Sequence, residues 1–394
     1  MRQIHRKRLI AFALAAALPL LAACSSNNNK SSSNTTTNTT TTTGTKAAGA
    51  PGSPAAAGAG KPIKIGAIHV GSINDNGYNQ AMHEGLLALQ KNVPGVTLLE
   101  QENVPETPDV ERVMENMIQQ GAKIIFPMSF GYLDSALTVA AKHPDVVFEH
   151  PAGFKQTTNL GTFWSDTTDM EYLMGIVAAK ASKTGKFGWV IGFPIPNILT
   201  AINAFELGAQ SVNPNATTQV IVDNTWVDPQ KEAGAVNALA DAGVDVVTMI
   251  VDSPAAVVQA ADKRGIMSIG FHCLCVQNAA GKSWLTGVGF VWGDLFTKFV
   301  TDVQSGAWKS ANTIGSLDKG YAQIAPFGAG VSADTKTLVD QKKADIIAGK
   351  LKVFTGPIVD NTGKTQVAAG QVGDEIALLN SADWLVKGAT GNLK

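Results

Sequence analysis

The chain has 394 residues, 31 of them Lys or Arg and 32 Asp or Glu, for a formal charge of −1. No basic block breaks this balance, which disfavours nucleic acid as a partner. The composition is otherwise that of an ordinary globular α/β protein.

The first 23 residues read as a secretory signal. Arg2, Arg6, Lys7 and Arg8 precede the apolar run Leu9–Leu21, and Leu21-Ala22-Ala23-Cys24 supplies small residues for cleavage. Thirteen apolar residues are too few for a permanent membrane span. Leu-Ala-Ala-Cys is also the pattern of a bacterial lipobox, with Cys24 as the modified residue; the other reading is an ordinary secreted protein. Loss of the signal removes four basic residues and leaves 27 basic against 32 acidic, a charge of −5. Residues 25–60 are Ser, Asn and Thr, then Ala, Gly and Pro, too polar and simple to offset their ordering entropy, so 24–60 is expected to be a tether.

From Lys61 the chain alternates strands and helices, and 61–394 is long enough for two domains. Ile63–Val70 reads as a strand, Gly71–Gly77 as a turn, and a helix follows from Tyr78. Further strand and helix patterns run through Val96–Glu100, Val110–Gln120, Lys123–Met128, Leu133–Lys142, Val146–His150, Leu160–Trp164 and Met170–Ser182. A second run starts at Gly188–Gly192 and continues through helix Ala201–Ser211 to strands Val244–Val251 and Met267–Cys273. Gln119-Gln120-Gly121-Ala122-Lys123-Ile124-Ile125 resembles Asp241-Ala242-Gly243-Val244-Asp245-Val246-Val247, so the two runs look like copies of one design. Repeated β-α units predict parallel sheets with ligands beyond the carboxyl ends of the strands.

Those strand ends carry the candidate binding residues. The first loop holds Asp75, Tyr78 and Asn79, hydrogen-bonding groups beside one flat ring; the acids and amides there fit turn and cap roles equally well. Ser129-Phe130-Gly131-Tyr132 follows the third strand, where its aromatics either face a ligand or close the core. In the second run Phe193 follows a strand, and Asn203 lies on the next helix. Trp226 is the largest aromatic in any of these loops and offers either a stacking face for a base or interdomain packing. Asp252 fits an acceptor for a ring N–H, or the cap of the helix that begins near Pro254. His272 can donate to a ligand, and Phe290 and Trp292 complete the candidates.

Gly71-Ser72-Ile73-Asn74-Asp75-Asn76-Gly77-Tyr78-Asn79-Gln80-Ala81-Met82-His83-Glu84-Gly85 resembles the opening motif of the basic membrane protein family of substrate-binding lipoproteins, which includes purine-nucleoside receptors of ABC importers. The resemblance runs from about Ile63 to about Trp384, and the Ser-Phe-Gly-Tyr loop shares in it. It implies a type I periplasmic binding protein: two Rossmann-like parallel-sheet lobes joined by a crossing hinge, with 61–165 plus 288–325 as the first lobe, 166–287 plus 326–385 as the second, and 386–394 as a tail. It also implies diacylation of Cys24, an ABC permease as partner, and a lipid anchor facing the periplasm.

The nucleoside-binding members carry an acidic pair at the positions of His272 and Leu274, where it grips the ribose, and a lysine near Phe290. A pocket without those groups cannot readily satisfy sugar hydroxyls. A purine base or another flat heterocycle is therefore expected in preference to a nucleoside. His272, Cys273 and Cys275 raise a metal reading, but in a strand the cysteines face away from the histidine and no fourth ligand is at hand, so no metal or other cofactor is expected and the thiols are expected to be free. No nucleophile elbow, phosphate loop or zinc-protease motif occurs, so no enzyme is expected. The expectation is a monomeric receptor, the alternatives being a periplasmic nucleoside-processing enzyme or a sensor-coupled receptor without a transporter.

Overall fold

A computed structural model describes residues 61–315 and 317–393. Cys24, the signal and the tether lie outside the described residues. β1 (Ile63–His69) buries every residue but Lys64, as a central parallel strand covered on both faces must. It feeds α1 (Tyr78–Asn92), followed by β2 (Val96–Gln101), α2 (Asp109–Gln119), β3 (Ala122–Met128), α3 (Leu133–Lys142), β4 (Val147–Pro151) and β5 (Leu160–Ser165). α2 shows the packing logic: Val110, Val113, Met114 and Met117 recur at helical spacing and are the residues it buries.

The chain then crosses to a second lobe, built from α4 (Thr168–Ala181), β6 (Lys186–Ile191), α5 (Pro196–Gln210), β7 (Thr217–Val222), α6 (Pro229–Asp241), β8 (Val246–Ile250), α7 (Pro254–Arg264), β9 (Met267–Gly270) and β10 (Trp284–Phe290). It returns for α8 (Gly293–Ser305), which packs on α1, and β11 (Asn312–Gly315), and crosses again to β12 (Ala322–Ile324) and α9 (Ala333–Ile347). The hairpin β13 (Ile358–Val359) and β14 (Thr365–Val367), α10 (Glu375–Ser381) and β15 (Ala389–Gly391) complete the chain.

The first sheet is all parallel, in the order β11-β5-β4-β3-β1-β2, and the second runs β12-β10-β9-β8-β6-β7-β15 with only β12 antiparallel. Each contains the doubly wound order 2-1-3-4-5, whose switch point lies between the first and third strands. The resemblance between the two sequence runs is thus a likeness of topology. Gly121 after α2 and Gly243 after α6 both take positive φ, 95° and 86°, at matching helix-to-strand turns.

Several boundaries differ from the sequence expectation. Residues 288–290 belong to β10, and 322–324 to β12, both in the second sheet, so the first lobe regains the chain only for about 291–315. The expected tail is not one: β15 pairs Ala389, Thr390 and Gly391 with Thr218, Gln219 and Val220 of β7, covering a sheet edge. α5 begins at Pro196, five residues before the expected start, because a proline suits the first turn of a helix. β9 ends at Gly270 instead of Cys273, as the chain turns into a short 3₁₀ segment, Leu274–Ala279.

α4 and α5 cross at two glycines. A Cβ on Gly175 would lie 1.9 Å from the Phe205 carbonyl oxygen, and one on Gly208 1.9 Å from that of Tyr172. Backbone cannot yield as a side chain does. Gly208→Ala, which on an open helix would stabilise by about 1 kcal/mol, is therefore expected to destabilise by about 1–3 kcal/mol. Denaturant unfolding of the purified variant checks the sign; a stabilised protein would mean that the two helices separate freely.

Candidate ligand-binding site

Loops that follow strand ends of both sheets line one cleft. From the first lobe come Tyr78, Ser129, Phe130, Ala152 and Trp164. From the second come Ile198, Trp226, Asp252, Phe271 and His272, with Asn197 at the first turn of α5. Six of the residues singled out in the sequence meet here: Tyr78, Ser129, Phe130, Trp226, Asp252 and His272.

In the first lobe, Asp75 turns away from the cleft to cap α1. Its carboxylate accepts from the backbone N–H groups of Gly77 (2.7 Å), Asn79 (3.0 Å) and Gln80 (3.0 Å). Burial raises its pKa, and these bonds with that of the Asn79 amide pull the other way. Asn79 is fully buried; its Oδ1 accepts from Gly71 N–H (3.1 Å) and its Nδ2 donates to Asp75 (2.8 Å). The same side chain comes near Asp252 of the second lobe and opposes the rise in its pKa. Asn79 does not itself line the cleft. Ser129 Oγ donates to Glu106, which also accepts from Gly131 N–H at 2.8 Å. Tyr132, a candidate in the sequence, is wholly buried in the first lobe, where its hydroxyl donates to the Val104 carbonyl. Its ring closes the core, as the alternative reading had it.

In the second lobe, Trp226 is backed by Phe193, with ring centroids 4.9 Å apart, so Phe193 supports the cleft wall from behind. The Trp226 carbonyl accepts from Asp252 N–H at 2.7 Å. α7 starts at Pro254 after Ser253 with no side-chain cap, so the Asp252 carboxyl is not spent on the helix. Burial pushes the pKa of Asp252 well above the usual range, and the charges of Asp75, Glu106 and Glu232 add to it. A carboxyl that keeps its proton both donates and accepts.

His272 sits in the left-handed region, φ 71°, and is buried with both ring nitrogens unpartnered. Burial lowers its pKa to about 3, leaving a neutral imidazole. It packs between Phe271 (4.7 Å) and Tyr78 (5.3 Å, nearly perpendicular), the latter from the opposite lobe. Phe290 and Trp292 lie one layer back: Phe290 against Trp164 and His272 at 5.1 and 5.6 Å, Trp292 against Phe163 at 5.3 Å. Asn203 points elsewhere, its Nδ2 donating to the Trp384 carbonyl (3.0 Å) and its Oδ1 accepting from Val386 N–H (2.7 Å), which fastens the C-terminal segment to α5. Cys273 and Cys275 are joined as a disulfide, contrary to the expected free thiols. With β9 already ended, the 3₁₀ turn brings their Cα atoms to 5.0 Å, where strand alternation no longer applies.

Trp164, Thr167, Ile195, Asn197, Ile198 and Ala201 were not singled out in the sequence although all line the cleft. Trp164 is near the end of β5, Thr167 lies on the crossing that follows, and the others lie on the approach to and first turns of α5. Pro196 at the start of α5 was the one available signal, since it marks a helix whose first turn opens toward the cleft.

Two α/β lobes of one topology, joined by crossing segments and sharing a cleft, define the periplasmic-binding-protein fold. Among solved structures, ABC transporter solute-binding proteins from Aeropyrum pernix (TM-score 0.65, 18% identity, 74% of this chain and 93% of that one) and Conexibacter woesei (TM-score 0.60, 22% identity, 74% and 98%) share the fold. The model of the Bmp family, described as ABC transporter substrate-binding protein PnrA-like, matches residues 63–358, and the chain belongs to that family. A purine-binding protein of Brucella abortus is 39% identical over 328 residues, covering 82% of this chain and 92% of its own. A putative ABC transporter glucose-binding protein of Haloferax volcanii is 31% identical, covering 75% of each. No helix among the described residues is long and apolar enough to cross a membrane.

The buried Asp252 makes stability depend on pH. Because its folded-state pKa is raised, the native protein holds a proton that the unfolded chain releases, so this group's contribution falls as pH rises from the ordinary carboxyl pKa towards the raised value. Asp252→Asn removes that loss. The variant's unfolding free energy relative to wild type is expected to improve between about pH 4 and neutrality, and parallel urea titrations at several pH values check it; a constant difference would mean that Asp252 ionises freely.

Proposed function

We propose that the protein is an extracytoplasmic receptor that captures a purine base or a related flat, neutral heterocycle between its lobes and presents it to an ABC permease. The observation that carries this reading is His272. A buried histidine with two unpartnered nitrogens is costly unless a ligand supplies the missing bonds. Beside it stand Asp252, able to donate and accept, and the aromatic rings of Tyr78, Trp226 and Phe271. Flat walls with a few convergent polar groups suit a heterocycle better than a sugar, whose many hydroxyls each require a partner. Among the described residues the lining carries no Lys or Arg, which disfavours phosphate-bearing ligands. The purine-binding relative supports the same class.

A free base is favoured over its nucleoside. Leu274 packs over Gly289 and Phe290 sits behind His272, so hydrocarbon fills the positions that would otherwise hold ribose-gripping groups. Ligand contacts to both lobes selectively stabilise the closed state, and one chain supplies both lobes, which makes a monomer sufficient. No catalytic step is part of this reading, and the family is one of substrate-binding proteins.

Calorimetric titration of ligand-stripped protein with adenine, hypoxanthine, guanine, their nucleosides and glucose is the test. Two unsatisfied hydroxyls cost roughly 2–6 kcal/mol, so each base is expected to bind at least about tenfold tighter than its nucleoside. Trp226→Ala is expected to weaken base binding by about 1–3 kcal/mol, or about 5- to 150-fold. Tighter binding of nucleosides would shift the reading to a ribose-accepting site, and binding of glucose alone would end it.

The anchor proposal concerns Cys24, which is expected to carry lipid and hold the receptor at the membrane. Cys24→Ser should release the protein to the soluble fraction without lipid; retention in salt-washed membranes would refute it.

A further inference from the structure

We infer that the cleft has a second, outer compartment that accepts a neutral apolar or aromatic substituent on the heterocycle; the inference rests on the heterocycle reading of the inner one. Next to the cleft lies a second hollow. Phe130, Ala152, Trp164 and Asn197 line both, so the two spaces are neighbours that share walls. His272 and Asp252 line only the inner space. A ring held by its polar edge against them has its other edges free to open outward.

The outer space is built from Phe154, Ile314 and Leu379 beyond the shared walls. Phe154 is 66% exposed, the most exposed large hydrophobic side chain among the described residues. Its ring lies 6.3 Å from that of Phe130, at the boundary of the two compartments. The loop that carries it is fixed: Ala152 takes φ 54° and donates its N–H to the Phe163 carbonyl at 2.8 Å. At Gly153 a Cβ would meet Thr162 at 2.6 Å and His150 Nδ1 at 2.9 Å. A fixed, exposed aromatic ring beside a ligand cleft is apolar surface that a ligand can cover.

The polarity of the outer lining sets the chemical class. No charged side chain lines it. Of its three amides, Asn312 already accepts from the Thr162 hydroxyl (2.9 Å), and Asn380 already donates to the Ile376 carbonyl (2.6 Å). The rest of the lining is aromatic rings, hydrocarbon and backbone, with no cation for a phosphate's charge. The class is therefore a purine bearing an aliphatic or aryl group of about benzyl size.

Calorimetric titration of the full chain with adenine, 6-benzylaminopurine, 9-benzyladenine and adenosine tests this, the two benzyl compounds covering two exit directions. At least one is expected to bind about fivefold or more tighter than adenine, from the apolar area it covers, and 9-benzyladenine to bind tighter than adenosine. Phe154→Ser and Leu379→Ser are expected to abolish the gain and leave adenine affinity within about twofold, since neither lines the inner compartment. Adenine binding without a gain for either benzyl compound, or a gain that survives both substitutions, overturns the outer compartment alone. Absence of binding by any purine overturns the heterocycle reading and this inference with it.

Discussion

A parallel sheet covered by helices on both faces leaves one place for polar chemistry, the rim beyond the carboxyl ends of its strands. Both lobes obey this constraint, and the site exists because the rims meet. The constraint also shows in the backbone. Among the described residues, the non-glycine positions with positive φ are Asn76, Asn103, Ala152, Asn224 and His272, and each follows the carboxyl end of a parallel strand. Asparagine and histidine take that conformation more readily than bulkier residues. The sharp turns that shape the rim are thus concentrated where ligand-facing side chains must be aimed.

The rims come close at one buried amide. Asn79 holds Asp75, the cap of α1, and lies near enough to Asp252, just past β8, to oppose the rise in its pKa. At Gly77 a Cβ would lie 2.6 Å from the Asp252 carbonyl oxygen, so the loop's glycine allows the second lobe to come this near.

The fold was legible in the sequence because its signals are local: β-branched strands, amphipathic helices, and a glycine at each repeated helix-to-strand turn. The site was legible where it follows from topology alone, as at Tyr78, Trp226, Asp252 and His272, each placed by a strand end. It was not legible where long-range packing decides a side chain's direction. Tyr132 follows a strand as Ser129 does, yet finds a carbonyl inside the lobe. Asn203 looks like a ligand group until a segment some 180 residues later supplies its partners. Trp164 and Asn197 reach the cleft only because the packing of the chain brings the end of β5 and the start of α5 to it, and no local pattern encodes that packing.

The interleaving of the lobes bears on when the protein can fold. β5 of the first sheet waits for β11, about 150 residues later, and β7 of the second waits for β15 at the chain's end. Neither sheet is complete until most of the chain has left the ribosome, and pairings of such separation form slowly. For a chain whose start reads as an export signal, late completion has a use. A secretion channel passes an unfolded polypeptide, and one that cannot close its sheets early remains threadable for longer.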